Sequence, residues 1–283
     1  MQGARARVLP DGKRLHLQHG PIDLIIGVTG AGRADAFRHA TARFATILQE
    51  LVDELPDLRR PTKLNSNFTG PTAQRMQAAT LPLSKSFLTP MAAVAGSVAD
   101  EMLAVICAIP GIIKAYVNNG GDIAFYLSPG QSMTAAIAAP TPAMITLHSN
   151  DPWRGIATSG WRGRSHSLGI ADSVTVLAHT AAAADAAATM IANAVDMPGD
   201  PRITRQPAAE LAPDSDLGDQ PVTTGVGQLD PASRTLALNN GAALASQYLN
   251  RHLIGAAYLT LQGDTRAFGA IPLQAPQPEP LNA

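Results

Sequence analysis

Apolar and polar residues alternate early in the chain. Leu15 and Leu17, then Ile22, Leu24, Ile25 and Ile26, predict one or two strands between residues 15 and 28. Beyond Gly30 the period lengthens: Phe37, Phe44, Leu48, Leu51 and Leu55 predict an amphipathic helix stopped by Pro56 and Pro61. The polar stretch 61–71 predicts a loop. Thr89-Pro90 opens a second helix over about Met91–Ala108, with proline in the first turn, where its missing N–H costs nothing. Ile112–Val117 and Asp122–Leu127 flank Asn118-Asn119-Gly120-Gly121 and predict a β-hairpin, closed by a tight turn or a wider loop. Further strands are expected at Met133–Ala139, Met144–His148 and Ser173–Leu177, followed by an alanine-rich helix over Thr180–Val195. Residues 200–230 carry Pro201, Pro207, Pro213 and Pro221 and predict a long loop, a feature that is usually functional or mobile. A helix near Ala242–Arg251 and strands at Leu253–Leu261 and Arg266–Ile271 complete the pattern, and Gln274–Pro280 predicts a disordered tail. Short strands and helices without regular βαβ alternation predict an α+β fold, with one domain over 1–271 and a proline-rich tail over 272–283.

Composition narrows the function. Hydrophobic residues make up 46% of the 283 and aromatics only 4%, so Ala, Val, Leu and Ile must build the core. Small side chains let backbones approach, which suits sites made from main-chain groups. The net charge of −1 with scattered Lys and Arg argues against a nucleic-acid surface. Cys107 is the single cysteine, which excludes an intrachain disulfide, and its apolar surroundings predict a buried, inert thiol. Met1–Gly20 has basic residues but no apolar run after them, and no segment suggests a membrane span. A cytoplasmic protein without membrane association is therefore expected. The alanine-rich, aromatic-poor surface also makes self-association into a homo-oligomer an expectation.

Four segments carry candidate chemistry. Asp185 and Thr189 stand at positions i and i+4 of the alanine-rich helix, so their oxygens share a face with only alanines between. Two such oxygens suit a hard cation such as Mg²⁺; on spacing alone the plainer reading is a solvated carboxylate and a threonine bonded to its own helix. Gly155 to Gly160, with Thr158 and Ser159, precedes Arg162, Arg164 and His166, a composition fit for phosphate or for an ordinary glycine-punctuated loop. Turn chemistry alone explains Asn118–Asp122. Asp214-Ser215-Asp216-Leu217-Gly218-Asp219 lacks the Ca²⁺-loop spacing and predicts a solvated acidic turn.

In order along the chain, Met91–Asp100, Asn118–Asp122, Ala157–Gly160, His166, Ser173–Val176 and Ala184–Thr189 resemble the motifs of the ApbE-type flavin transferases. Members of that family use Mg²⁺ and split FAD to attach FMN to a threonine of an acceptor protein. The resemblance implies a T-fold-like single α+β domain with mixed or antiparallel sheets flanked by helices. It implies Asp185, Thr189 and a main-chain oxygen near Ala92 as Mg²⁺ ligands. It also implies a cleft for FAD or FMN formed by Gly96, Asn119, Gly120, Gly121, Asp122, Thr158, Ser159 and Gly160. Arg162 and Arg164 would face the phosphates and His166 would serve the transfer. The chain departs from the pattern at Ala95, where the family carries lysine, and in a shortened His166–Asp172 segment. It lacks the family's common lipobox and is more similar to a cytoplasmic branch.

Three functions fit these residues: an Mg²⁺-dependent protein for FAD, FMN or a related phosphate-bearing ligand, with transfer to an acceptor protein if it is catalytic; a non-catalytic ligand binder of the same fold; or an enzyme on another phosphorylated or pterin-like substrate.

Overall fold

The computed structural model describes residues 3–64, 66–137, 143–163 and 165–269. Strands β1 (Arg5–Val8), β2 (Arg14–His19) and β3 (Ile22–Gly30) precede α1 (Arg33–Asp53), the single turn α2 (Leu55–Leu58) and α3 (Pro71–Thr80). A 3-10 turn at Pro90–Ala93 runs directly into α4 (Val94–Cys107). Then come β4 (Ile112–Asn119), β5 (Asp122–Leu127), β6 (Ser132–Ile137), β7 (Ala143–His148), β8 (Gly155–Ser159), β9 (Ser173–Ala178) and α5 (Ala181–Ala194). An excursion of β10 (Ile203–Pro207), α6 (Ala208–Leu211) and β11 (Pro221–Val226) leads to α7 (Pro231–Asn250), β12 (Ala256–Leu261) and β13 (Asp264–Gly269).

Nine strands form one sheet in the order β1-β2-β3-β4-β5-β8-β9-β12-β13, every pair antiparallel. The α+β expectation with antiparallel sheets flanked by helices holds. Alternation decides which face each side chain serves. On β4 and β5, Ala115, Val117 and Ala124 join the core beneath α1 and α4, with Phe44, Ile47, Met102 and Ile106. Their neighbours Tyr116, Phe125 and Leu127 point the other way, where the β6–β7 hairpin covers them with Ile137, Ile145 and Leu147. Each fully buried Leu, Ile or Phe contributes about 1.5–3 kcal/mol.

α5 works differently. Its buried residues include Ala184, Ala186, Ala187, Ala188 and Ala192, which remove little apolar area each, so close backbone approach and hydrogen bonds must hold it. Two glycines permit that approach. A Cβ on Gly96 of α4 would lie 2.3 Å from the Ala181 carbonyl oxygen, and one on Gly155 of β8 would lie 2.1 Å from the Ala181 nitrogen.

Several expectations need correction. Residues 200–230 are not a bare loop: β10 and β11 pair from Ile203↔Val226 to Pro207↔Pro221. The predicted polar loop ends at Gly70, where Pro71 starts α3, a helix that the weak apolar periodicity of 71–80 conceals. Cys107 is exposed rather than buried, because the last turn of α4 turns that position away from the Met102 and Ile106 side. The run Pro90–Cys107 is long and apolar enough to cross a membrane by length and composition, yet 56% of it is buried as a core helix. The hairpin expectation holds in its tight form, with Gly120 and Gly121 both at positive φ (65° and 117°) between the paired Asn119 and Asp122. The tail, the 271/272 boundary, Arg164 and the ends of the strands expected at 133–139 and 266–271 lie outside the described residues.

Candidate functional site

The start of α5 is fixed by its neighbours. Asp100 of α4 accepts the Ala181 and Ala182 N–H groups at 3.0 and 2.8 Å, and the Thr180 hydroxyl accepts that of Ala183 at 3.1 Å. Three of the helix's orphan donors are thereby satisfied. Continuing by fours, Asp185, Thr189 and Asn193 form one stripe along α5.

Each member of the stripe meets a different segment. Asp185 accepts the Gly96 N–H at 3.0 Å, at the point where α4 begins and the missing Cβ brings the two helices together. The Asn119 amide donates to the Ala95 carbonyl at 3.1 Å, pinning the β4–β5 turn to the same place. Buried Asp122 accepts the Thr158 N–H at 3.2 Å and so joins β5 to β8. Asn193, one turn beyond Thr189, accepts from the Ser167 hydroxyl at 3.1 Å and the Leu168 N–H at 2.9 Å. A Cβ on Gly169 would lie 2.0 Å from the Ala192 carbonyl oxygen, so that loop also lies flat on α5.

Gly96, Asn119, Asp122 and Asp185 therefore converge, with the Thr158 backbone attached. Thr189 is partly exposed on the same face as Asp185, and Ala92 sits half-buried in the turn that leads into α4. Gly120 and Gly121 lie at the exposed tip, where the Gly121 N–H bonds Asn118. Ser159 is half-buried at the end of β8, and Gly160 passes close to the Asp172 carbonyl oxygen, 2.4 Å from where a Cβ would stand. Arg162 is 62% exposed, stacks 4.5 Å above the Trp161 ring and pairs with Asp172 at 3.0 Å. His166 is exposed to solvent on the loop anchored by Asn193.

Charge defines the recess. Burial pushes the Asp185 carboxyl well above its usual range, the Asp122 charge pushes it further, and the Gly96 and Ala95 amides oppose the shift only in part. Burial also raises Asp100 to about 6, against the pull of the Ala182 and Ala181 amides. Arg75, whose charge reaches Asp100, is itself paired with Glu101 at 3.1 Å. Negative charge in excess, half-shielded from water and faced by main-chain groups, is the setting in which a hard cation displaces protons. Among the described residues no three His, Cys, Asp or Glu side chains are grouped to hold a metal, so a cation here would draw on hydroxyl, main-chain or ligand oxygens. A hollow of about 370 Å³ beside Arg60, Lys63, Ser66 and Asn67, and an apolar cavity of about 80 Å³ behind β9 and β12, lie away from these residues.

Asp100 yields a pH signature. The folded chain keeps its proton up to about pH 6, whereas the unfolded carboxyl releases it near 3.8. Stability drawn from this group is thus highest at low pH and falls as pH rises through that window, by about 3 kcal/mol at most. Asp100→Asn is expected to flatten that slope in denaturant titrations between pH 4 and 6; an unchanged slope refutes the assignment.

Sequence reasoning missed Asp100 as the residue holding α5, and missed Asn193, whose position four residues after Thr189 was the available signal.

Comparison with known proteins bears on the fold. A family model described as AbpE bacteria matches residues 6–267. The UPF0280 protein of Methanothermobacter thermautotrophicus is 38% identical over 122 residues, covering 41% of this chain and 46% of its own. That of Methanopyrus kandleri is 36% identical over 136 residues, covering 44% and 50%. The alignments thus span about half the length of these relatives. The apo flavinyl transferase ApbE of Pseudomonas stutzeri superposes with a TM-score of 0.51 over 97% of this chain and 96% of that one, at 12% identity. The shared property there is the fold.

Proposed function

The chain belongs to the AbpE bacteria family, and from the residues at its α4–α5 crossing we propose that it binds a flavin nucleotide, FAD or FMN, together with Mg²⁺. One observation carries this reading: the Asp185 carboxyl accepts the Gly96 N–H at 3.0 Å at the α4–α5 crossing with Thr189 one turn away, and burial and Asp122 raise its pKa above the usual carboxylate range. A divalent cation would displace the proton that burial favours on Asp185, and Asp185, Thr189 and the Ala92 carbonyl are the groups that would hold it. Bound there, Mg²⁺ would neutralise the pyrophosphate of the nucleotide. Asn119 and Asp122 fix the turn whose glycines line the nucleotide side, and Ser159 with Gly160 supplies the facing strand end. Arg162, already held by Asp172, offers its remaining N–H groups to phosphate oxygens. Residues 1–271 act as one domain in this reading, and the acceptor of any transferred FMN is a second protein.

A second reading, binding without transfer, is favoured by two features of this chain. Ala95 stands where the transferases have lysine, and His166 lies in solvent.

The test is titration of purified protein with FAD while following flavin fluorescence, with and without Mg²⁺, then assay for AMP and FMN. Saturable binding that disappears on chelation is expected. Release of AMP marks transfer chemistry, and its absence marks the binder. Failure of FAD, FMN and ATP alike to bind overturns the proposal.

A further inference from the structure

In the acidic turn at 214–219, Asp214 and Asp219 are exposed as expected, but Asp216 is not left to solvent. Asp216 accepts a hydrogen bond from the hydroxyl of Thr89, 127 residues earlier in the chain. Thr89 is 2% exposed and stands at the N-cap of the Pro90–Ala93 turn, a position where threonine ordinarily accepts from an amide of its own helix. It makes no such bond here. Its carbonyl instead accepts the Ala92 N–H at 3.2 Å, and its hydroxyl is left to donate to Asp216.

Asp216 is held in turn. The loop closes on its stem through Ala209 N–H to the Gly218 carbonyl at 2.8 Å and Ala208 N–H to that of Gln220 at 3.0 Å. The stem grips the segment after His166, since Thr223 N–H donates to the Ser167 carbonyl at 2.8 Å and Arg205 to that of Leu168 at 2.6 Å. The β10–β11 excursion therefore touches both segments that flank the Asp185–Thr189–Asn193 stripe. At one end it grips the loop on Asn193, at the other the turn that delivers Ala92, Ala95 and Gly96.

We propose that Asp216 is a positioning residue that, through Thr89, sets the Pro90–Ala93 turn and the start of α4 so that the Ala95 and Gly96 amides and the Ala92 carbonyl face Asp185. The role in cation binding rests on the function proposed above; the effect on the turn does not. Residues that orient metal ligands from behind typically change metal affinity by about 10- to 100-fold when removed.

Two measurements on the 283-residue chain test this. Amide hydrogen exchange in the metal-free protein is expected to accelerate at Ala95 and Gly96 in Asp216→Ala and Thr89→Val, and to stay at the parent rate in Thr89→Ser, which keeps the hydroxyl. Titration with Mg²⁺ alone is expected to show affinity lowered about tenfold or more in the first two variants and unchanged in the third. Parent-like exchange and affinity in both Asp216→Ala and Thr89→Val overturn the proposal, and Asp216, on a half-exposed loop, serves as the check should the buried Thr89→Val fail to fold. If the parent protein takes up no Mg²⁺ but exchange still responds, the cation reading fails and the positioning of the turn stands.

Discussion

Asp185→Asn is expected to make the metal-free protein more stable at pH 8 while abolishing its response to Mg²⁺. A carboxyl pushed well above its ordinary range by burial and by Asp122 keeps its proton in the folded state at pH values where the unfolded chain has lost it. Its contribution to stability therefore declines as pH rises above the usual carboxylate range and is fully lost above the raised value. Every pKa unit of such a difference corresponds to about 1.4 kcal/mol, and 1 kcal/mol moves the Tm of a protein this size by about 2–4 °C. Asparagine still offers an oxygen to the Gly96 N–H but carries no charge beside Asp122. Thermal scans at pH 5 and pH 8 should show Asp185→Asn gaining on the parent more at pH 8 than at pH 5. With Mg²⁺ the order is expected to reverse, since at the proposed site only the parent would gain from binding. Loss of a charged ligand should weaken Mg²⁺-dependent FAD binding roughly 100-fold or more, about 2.7 kcal/mol. A variant less stable than the parent at pH 8 without metal, or one still stabilised by Mg²⁺, refutes the site.

What could be read in the sequence were the features whose signal is local. Asp185 and Thr189 announce a shared helix face by a spacing of four, and Gly120-Gly121 announces a hairpin because both positions demand positive φ. The partners that turn these local features into a site are remote. Asp100 reaches across 81 and 82 residues to cap α5, and Asp216 across 127 to reach Thr89, distances over which no periodicity speaks. The excursion at 200–230 was hidden for another reason. β10 has five residues of alternating intermediate and exposed burial, and its proline-rich flanks read as breaks although Pro207 and Pro221 sit paired at the ribbon's end. Cys107 misled because an apolar run fixes a helix but not the phase of its final turn.

Two added methyl groups should cost as much as truncating a buried core side chain, because the start of α5 is squeezed between backbones. Gly96→Ala places a Cβ 2.3 Å from the Ala181 carbonyl oxygen and 2.7 Å from the Ala182 nitrogen; Gly155→Ala places one 2.1 Å from both the Ala181 nitrogen and the Thr180 carbonyl carbon. All of these are main-chain atoms, so no rotamer change relieves the clash, and α4 or β8 must withdraw by about 1 Å to reach ordinary contact distances. Overpacking of this kind usually costs about 1–3 kcal/mol, and rigid neighbours place both variants at about 3 kcal/mol or above. That is a large share of the roughly 5–15 kcal/mol of a typical domain and corresponds to a Tm lower by about 6–12 °C. The two variants should differ in function. Withdrawal of α4 in Gly96→Ala takes the Gly96 and Ala95 amides from Asp185, so Mg²⁺ affinity should fall even where the variant is fully folded, whereas Gly155→Ala leaves that contact in place. Calorimetric Tm paired with Mg²⁺ titration at 20 °C separates the effects. A Gly96→Ala protein with the parent's Tm means that the helices do not meet as closely as argued, and parent-like Mg²⁺ affinity in a destabilised one means that the α4 amides do not shape the site.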